Sequence, residues 1–381
     1  MTATAATLLP IARFRRAAPF WLSILMVPLA VASILAGGLW VLSLPVYAWV
    51  LFTLLDALSG RKLESEDPDT PPEALFWYRA VTLIWFPIQA ALLVLALAVV
   101  PGAEHLTLLE KWAVFFGLGV VCGAVGIVYA HELMHQRNRL ERWLGDLLLA
   151  SVLYGHFRSE HLLVHHRYVG TPRDAVTARY NEGFHQFFPR VLRESFTSAL
   201  RAEAERLRRA GRSPWSFANP FWRYAGLQGL WIGVALALGG WGGLVLFGAC
   251  ALTAIWQLEL TNYIEHYGLT RKYLGDGRYE HVKPRHSWNA AHRASNWLLI
   301  NLQRHSDHHT RPDRRFPLLQ NWGEDQAPQL PYGYPLMTQI AMIPPLWRRV
   351  MNPRVRAWRR QFYPEITDWS PYKDGTLPVP R

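Results

Sequence analysis

Residues 112–135 read WAVFFGLGVVCGAVGIVYAHELMH. Residues 112–131 carry no Asp, Glu, Lys or Arg, and an α-helix needs about 20 apolar residues to cross a bilayer. The stretch ends in HELMH. If the helix continues to that end, His131 and His135 share one face, one turn apart, within reach of one metal ion. A membrane span that ends in a pair of metal-type ligands sets the question for the remaining chain.

Three further runs lack acidic and basic residues: 17–55, 80–103 and 224–258. One such run could be the core of a soluble domain, but four point to a bilayer. The expected fold is an all-α integral membrane protein, a single domain over 1–381 with about six transmembrane helices and a cytoplasmic histidine-rich metal-binding cap. Paired glycines weaken a helix. They divide the first run near Ala36-Gly37-Gly38 and the last at Gly239-Gly240-Trp241-Gly242-Gly243. The expected spans are 17–36, 39–55, 80–100, 112–130, 224–238 and 244–260. The first run is too long for a cleavable signal.

The formal charge is +12. The excess lies in loops, starting with a basic leader over 1–16 that holds Arg13, Arg15 and Arg16, so nucleic acid is not needed to explain it. By the positive-inside rule the leader is cytoplasmic. Spans 4 and 6 then end on the cytoplasmic face, and loops 131–223 and 261–335 lie there. Residues 336–381 are expected as an interfacial segment, because Leu336 to Leu346 is too short to cross and holds Pro344-Pro345. In the long loop, Leu192, Phe196, Leu200, Ala204 and Leu207 recur at helical spacing, with Gly211 as a stop. Only two cysteines occur, Cys122 and Cys250, both in apolar runs. That excludes a disulfide framework, an iron–sulfur cluster and a CxxC redox pair.

Every other histidine cluster follows span 4 or span 6. HLLVHH holds His161, His165 and His166; NYIEHYGL holds His266; LQRHSDHH, Leu302 to His309, holds His305, His308 and His309. With His131 and His135 this makes nine of 15 histidines. A first-row metal takes about four to six ligands, so nine suit two metals. All-nitrogen ligation leaves iron, copper and zinc open and disfavours calcium and magnesium. HELMH alone also fits the zinc-peptidase pattern, with Glu132 as base, but six other clustered histidines would then have no use. A metal transporter would place its ionisable ligands within the spans, whereas these gather at their ends. Ligand histidines commonly donate their second N–H to a carboxylate. Glu132, Glu160, Glu265 and Asp307, each next to a histidine, are the candidates, with Asp174 in TPRDA as a weaker one. His105 is expected on an outer loop, away from this set.

HELMH, EHLLVHHRYVGTPRDA, NYIEHYGL and LQRHSDHHTRPDRRF resemble the histidine boxes of membrane alkane 1-monooxygenases, within the membrane desaturase and hydroxylase superfamily. The resemblance runs from roughly residue 125 to 325. NYIEHYGL with LQRHSDHH separates this group from acyl desaturases. Glu265 and the LQRHSDHH string favour it over hydroxylases of aromatic methyl groups. SWNAAHRASN departs from the usual pattern at Ala290, Ala291 and His292. The resemblance implies a non-haem di-iron centre held by the nine histidines. It implies hydroxylation of a terminal alkane methyl with O2, in a bacterial inner membrane. It also implies electrons from rubredoxin, reduced by an NAD(P)H-dependent reductase.

The residues are compatible with that scheme. No dinucleotide glycine motif, haem attachment site or iron–sulfur cysteine set occurs, so no bound flavin or haem is expected and electrons must come from another protein. Arg304, Arg311, Arg314 and Arg315, with the arginines of 201–212, would give a basic docking face for an acidic donor. An alkane has no polar handle and would enter from membrane lipid. Trp40, Trp49, Trp85 and Phe86 are candidates to line its path.

Overall fold

The computed structural model describes residues 10–380, so the first nine residues of the basic leader lie outside the described residues. Five helical stretches are long and apolar enough to cross a membrane. The first four are α1 (Ile11–Ala36), α2 (Gly38–Ser59), α3 (Pro72–Val99) and α4 (Leu108–Met134). Then come α5 (Arg139–Ala150), α6 (157–168) and α7 (Phe184–Arg209). The fifth apolar stretch is α8 (Pro220–His266). Gly240 breaks it with φ 58 and ψ −156, a conformation that a residue without Cβ adopts freely. The chain reverses there, and Trp231 stacks on Phe247 with centroids 6.1 Å apart. The 47 residues of α8 therefore form a hairpin, and the bundle has about six crossings.

α4 is the central helix. Of its most apolar window 83% is buried, against 28–44% for the others. Lipid tails are as apolar as Leu, so helices in a bilayer associate through small residues that let backbones approach. α4 supplies them in GLGVVCGAVG. A Cβ at Gly119 would lie 2.7 Å from the Cys250 carbonyl oxygen of α8, so the two backbones touch there. Cys122 and Cys250 are buried, unpaired packing residues in these two helices.

Local contacts sort the bundle into two ends. Thr107 and Glu110 form a capping box that starts α4, and the Gly38 N–H donates to Glu110 Oε1 at 2.7 Å. Gly239 and Gly243 pack against Pro101. The α1–α2, α3–α4 and α8 turns therefore share one end. The last turns of α4 and α8, with His131, His135 and His266, lie at the other.

That second end carries a polar cap. A short hairpin pairs β1 (Tyr273–Gly275) with β2 (Arg278–Tyr279). It is followed by α9 (Arg293–Leu298), α10 (His305–Thr310), α11 (Tyr334–Ala341) and α12 (Pro344–Phe362). The helix expected from that spacing is present as α7, and its apolar residues divide between two faces. Phe196 and Leu200 are exposed, and the buried face runs through Val191, Ser195, Ala199, Glu203 and Leu207. Small and polar residues face inward because Glu203 accepts a hydrogen bond from Ser159 Oγ at 2.6 Å. α12 packs back on the bundle through Trp347, Met351, Val355 and Trp358. The Trp347 ring lies 5.2 Å from those of Tyr263 and Tyr267.

Candidate metal centre

Four pieces of chain bring nine imidazoles together. α4 contributes His131 on its last turn and His135 just beyond it. α8 ends on His266, and α10 carries His305, His308 and His309. α6 contributes the other three through a local distortion. In a regular helix His165 would lie one turn below His161. Residues His161–His165 instead form a π-helical turn, and the His166 N–H bonds to the His161 carbonyl. The wider turn brings His166 into that place, with its Nε2 2.9 Å from His161 Nε2. His165 swings to the far side, its ring 4.7 Å from that of His266 and 4.9 Å from that of His309.

The nitrogens form two adjacent groups. One is His131, His135, His161 and His308; the other is His165, His266, His305 and His309; within each, all the donor atoms lie within 4.8 Å of one another. His166 borders the first group, 2.9 Å from His161 Nε2 and 3.1 Å from His308 Nε2.

These contacts suit bound cations. His161 Nε2 lies 3.0 Å from His131 Nε2, 3.0 Å from His135 Nε2 and 2.9 Å from His166 Nε2. A neutral imidazole has one N–H and one lone pair, so three such contacts cannot all be hydrogen bonds. Ligand nitrogens about 2.1 Å from one ion, at right angles, lie about 3 Å apart. In the second group His165 Nε2 is buried and has no hydrogen-bond partner among the described residues. Burial, reinforced by neighbouring imidazoles, pushes His135, His161, His166, His305, His308 and His309 well below the usual histidine range. They are neutral, with lone pairs free to bind metal.

Two carboxylates face ring nitrogens. Asp174 Oδ2 lies 3.1 Å from His165 Nδ1, and Glu265 Oε1 lies 3.3 Å from His305 Nδ1. The other three candidates face other groups or none. Glu132 accepts from Gln136 and lies 3.8 Å from Arg315. Asp307 pairs with Arg314 at 2.6 Å and accepts from the Gln320 N–H. Glu160 is fully buried, and neither oxygen has a partner among the described residues. Burial, with Asp174 and Glu259 nearby, pushes Glu160 well above the usual carboxyl range, so it is neutral. Consecutive helical residues point about 100° apart, so a neighbour in sequence is usually a poor neighbour in space.

Sequence reasoning missed Tyr334, whose hydroxyl donates to Glu265 Oε1 at 2.9 Å from 69 residues away. It lies just before the patch read as interfacial, and no local pattern marks it. His286, with its Nε2 2.8 Å from the Tyr363 hydroxyl, belongs to neither group.

The structure separates the remaining candidates. Trp49 is half-buried and lines a groove with Gly123, Val128, Trp256, Leu260 and Leu299. Trp85 is fully buried against Tyr129, with centroids 5.6 Å apart. Trp40 is 50% exposed beside the α1–α2 turn, and Phe86 is half-buried. Arg304 is not available for docking: it is buried and donates to the carbonyls of Leu319 and Glu64. Arg314 and Arg315 are held by Asp307 and Glu141, and Arg311 is exposed.

A helical membrane bundle with nine converging imidazoles at one end is the architecture of a desaturase-type metalloenzyme. The sequence profile described as fatty acid desaturase matches residues 110–341, which include all nine histidines. The chain is 40% identical to alkane 1-monooxygenase 1 of Pseudomonas aeruginosa over 323 residues, 84% of each protein. It is 40% identical to the alkane 1-monooxygenase of Ectopseudomonas oleovorans over 312 residues, 80% of this chain and 76% of that one. The xylene/toluene monooxygenase hydroxylase component XylM of Pseudomonas putida is 31% identical over 249 residues, 64% of each. This chain belongs to the alkane 1-monooxygenase family, within the fatty acid desaturases. It is an oxidoreductase of the monooxygenase class.

Proposed function

We propose that this protein is a di-iron monooxygenase that uses O2 to convert medium- and long-chain alkanes to 1-alkanols, with electrons from rubredoxin. The observation that carries this reading is the convergence of nine imidazoles in two adjacent groups. One iron would be held by His131, His135, His161, His166 and His308, the other by His165, His266, His305 and His309. Bound iron would supply the one-electron steps and the oxygen chemistry that side chains lack. Asp174 would hold His165 by Nδ1, leaving Nε2 for the metal, and Glu265 lies 3.3 Å from His305 Nδ1.

The groove beside Trp49 supports entry of an apolar chain from the bilayer. It opens between α2, α4, α8 and α11, and its residues Val128 and Leu260 precede His131 and His266 by three and six positions. Its walls, mainly apolar with Gln257, Thr261, Thr338 and Gln339 among them, would admit an alkane end-on. The positive-inside rule supports a cytoplasmic histidine end in a bacterial inner membrane.

For the electron donor, the favoured docking face is a cleft of about 890 Å3 between α6 and α7, lined by Arg167, Arg173, Arg193, Arg201, Arg206 and Arg209. Val164, next to His165, forms part of its wall. An acidic rubredoxin, reduced by an NAD(P)H-dependent reductase, would be complementary there. Reversing Arg201 and Arg209 to Glu is expected to raise the KM for rubredoxin by roughly tenfold at low salt, less at high salt, with kcat little changed. An unchanged KM at low salt would move the docking face elsewhere.

The decisive assay is metal analysis of purified protein, followed by octane turnover with O2, rubredoxin and reductase. Two irons per chain and 1-octanol are expected. One zinc without oxygen uptake would overturn the reading. Xylene offered in the same assay separates terminal alkane hydroxylation from attack on aromatic methyl groups.

A further inference from the structure

A second basic cavity, of about 380 Å3, lies at the histidine end of α1 and α3, away from the docking cleft. That volume is within the roughly 300–1,000 Å3 common for ligand sites. Five cationic side chains line it, Arg15, Arg16, Lys62, Arg293 and Arg304, against two carboxylates, Glu64 and Glu66. Glu66 is shared between Arg16 at 2.5 Å and Lys62 at 3.2 Å. Arg15 has no ion-pair partner among the described residues. The Nε atoms of Arg293 and Arg304 are buried donors without acceptors among the described residues. Asn296, 6% exposed, donates its Nδ2 to the carbonyls of Ala290 and His292, and its Oδ1 is a buried acceptor without a donor among the described residues.

We infer that this cavity binds the headgroup of an anionic glycerophospholipid: Arg15 and Arg293 take the phosphate over a floor made by Arg304, and Asn296 Oδ1 accepts from a headgroup hydroxyl. Location selects a lipid over a soluble anion. Arg15 and Arg16 immediately precede the apolar run of α1, where a cation meets the headgroup layer. Phe20, Tyr78 and Trp297 line the same cavity, and aromatic residues concentrate at that depth. Loop charge that merely orients a membrane protein needs no cavity, no buried donors and no aromatic rim. The floor residue Arg304 directly precedes His305, so an occupied pocket would brace the start of α10. The inference rests on the membrane bundle and not on the proposed reaction.

The test is native mass spectrometry of protein exchanged into mixed micelles of phosphatidylglycerol and phosphatidylcholine. The wild-type protein should retain phosphatidylglycerol and not phosphatidylcholine. With about 1 kcal/mol per basic residue near the headgroups, the double variant Arg15→Gln/Arg293→Gln should bind phosphatidylglycerol roughly thirtyfold more weakly. The charge-preserving Arg15→Lys/Arg293→Lys should retain most of it. Equal retention by wild type and the Gln variant would overturn the assignment. So would full displacement of the lipid by millimolar inorganic phosphate, which would make the ligand the free anion. Should the Gln variant fail to fold, the wild-type preference decides: no selection for phosphatidylglycerol overturns the site.

Discussion

Replacing His161 with Ala is expected to lower alkane turnover by about a thousandfold or more, while the protein still inserts and purifies as a single species. His161 is the hub of its group, with its Nε2 within 3.0 Å of three other ring nitrogens. On the proposed metal reading, a ligand so placed could not be replaced by water without loosening the others. Metal catalysis is worth several kcal/mol, and about 4 kcal/mol is a thousandfold in rate. Iron content and octane oxidation would be measured together, and iron should fall with turnover. The control is His105→Ala, an exposed histidine in the opposite loop, which should change neither. Full iron and full activity in the His161 variant would remove it from the metal set.

The second large effect is expected from Asp174→Asn, which keeps size and removes charge. Asp174 Oδ2 accepts from His165 Nδ1 at 3.1 Å and from the Thr177 hydroxyl at 2.7 Å. Burial opposes the charge on Asp174, but His165 and Thr177 outweigh it and hold the carboxyl below its usual range. The negative charge fixes the His165 tautomer and makes its free nitrogen a better donor. Loss of such a partner commonly costs about 10–100-fold in metal affinity or activity. The measurement is iron retention during dialysis against a chelator, with turnover on the same samples. Glu132→Gln, whose carboxylate faces Gln136 and Arg315, should show a much smaller change. Equal losses in both variants would mean a general charge effect and not the Asp174 contact.

The contrast between Asp174 and Glu160 shows what the sequence could and could not tell. The histidine clusters are legible because ligation demands a rare residue at tight spacing, and the spans because a bilayer demands length and apolarity. The partners of the histidines are set by tertiary geometry. Asp174 reaches back nine positions to His165, whereas Glu160, next to His161, has no hydrogen-bond partner among the described residues. The π-helical turn at 161–165 leaves no mark in HLLVHH, yet it decides that His166 and not His165 joins His161. The helical spacing of Leu192, Phe196 and Leu200 marks α7 as a helix but not its buried face, which follows the hydrogen bond of Glu203. Arg304 looked like surface charge because arginine usually is, and only the carbonyls of Glu64 and Leu319 explain its burial.

The backbone contact between Gly119 and Cys250 lies far from the histidines, yet it governs them. Twelve residues separate Gly119 from His131, about 18 Å of helix. α4 and α8 therefore act as tongs: the pivot lies deep in the bilayer, and the jaws are the last turns that carry His131 and His266. Any side chain that spreads the pivot is magnified at the jaws. A side chain added at Gly119 would therefore be felt at the histidine end, although no histidine touches it.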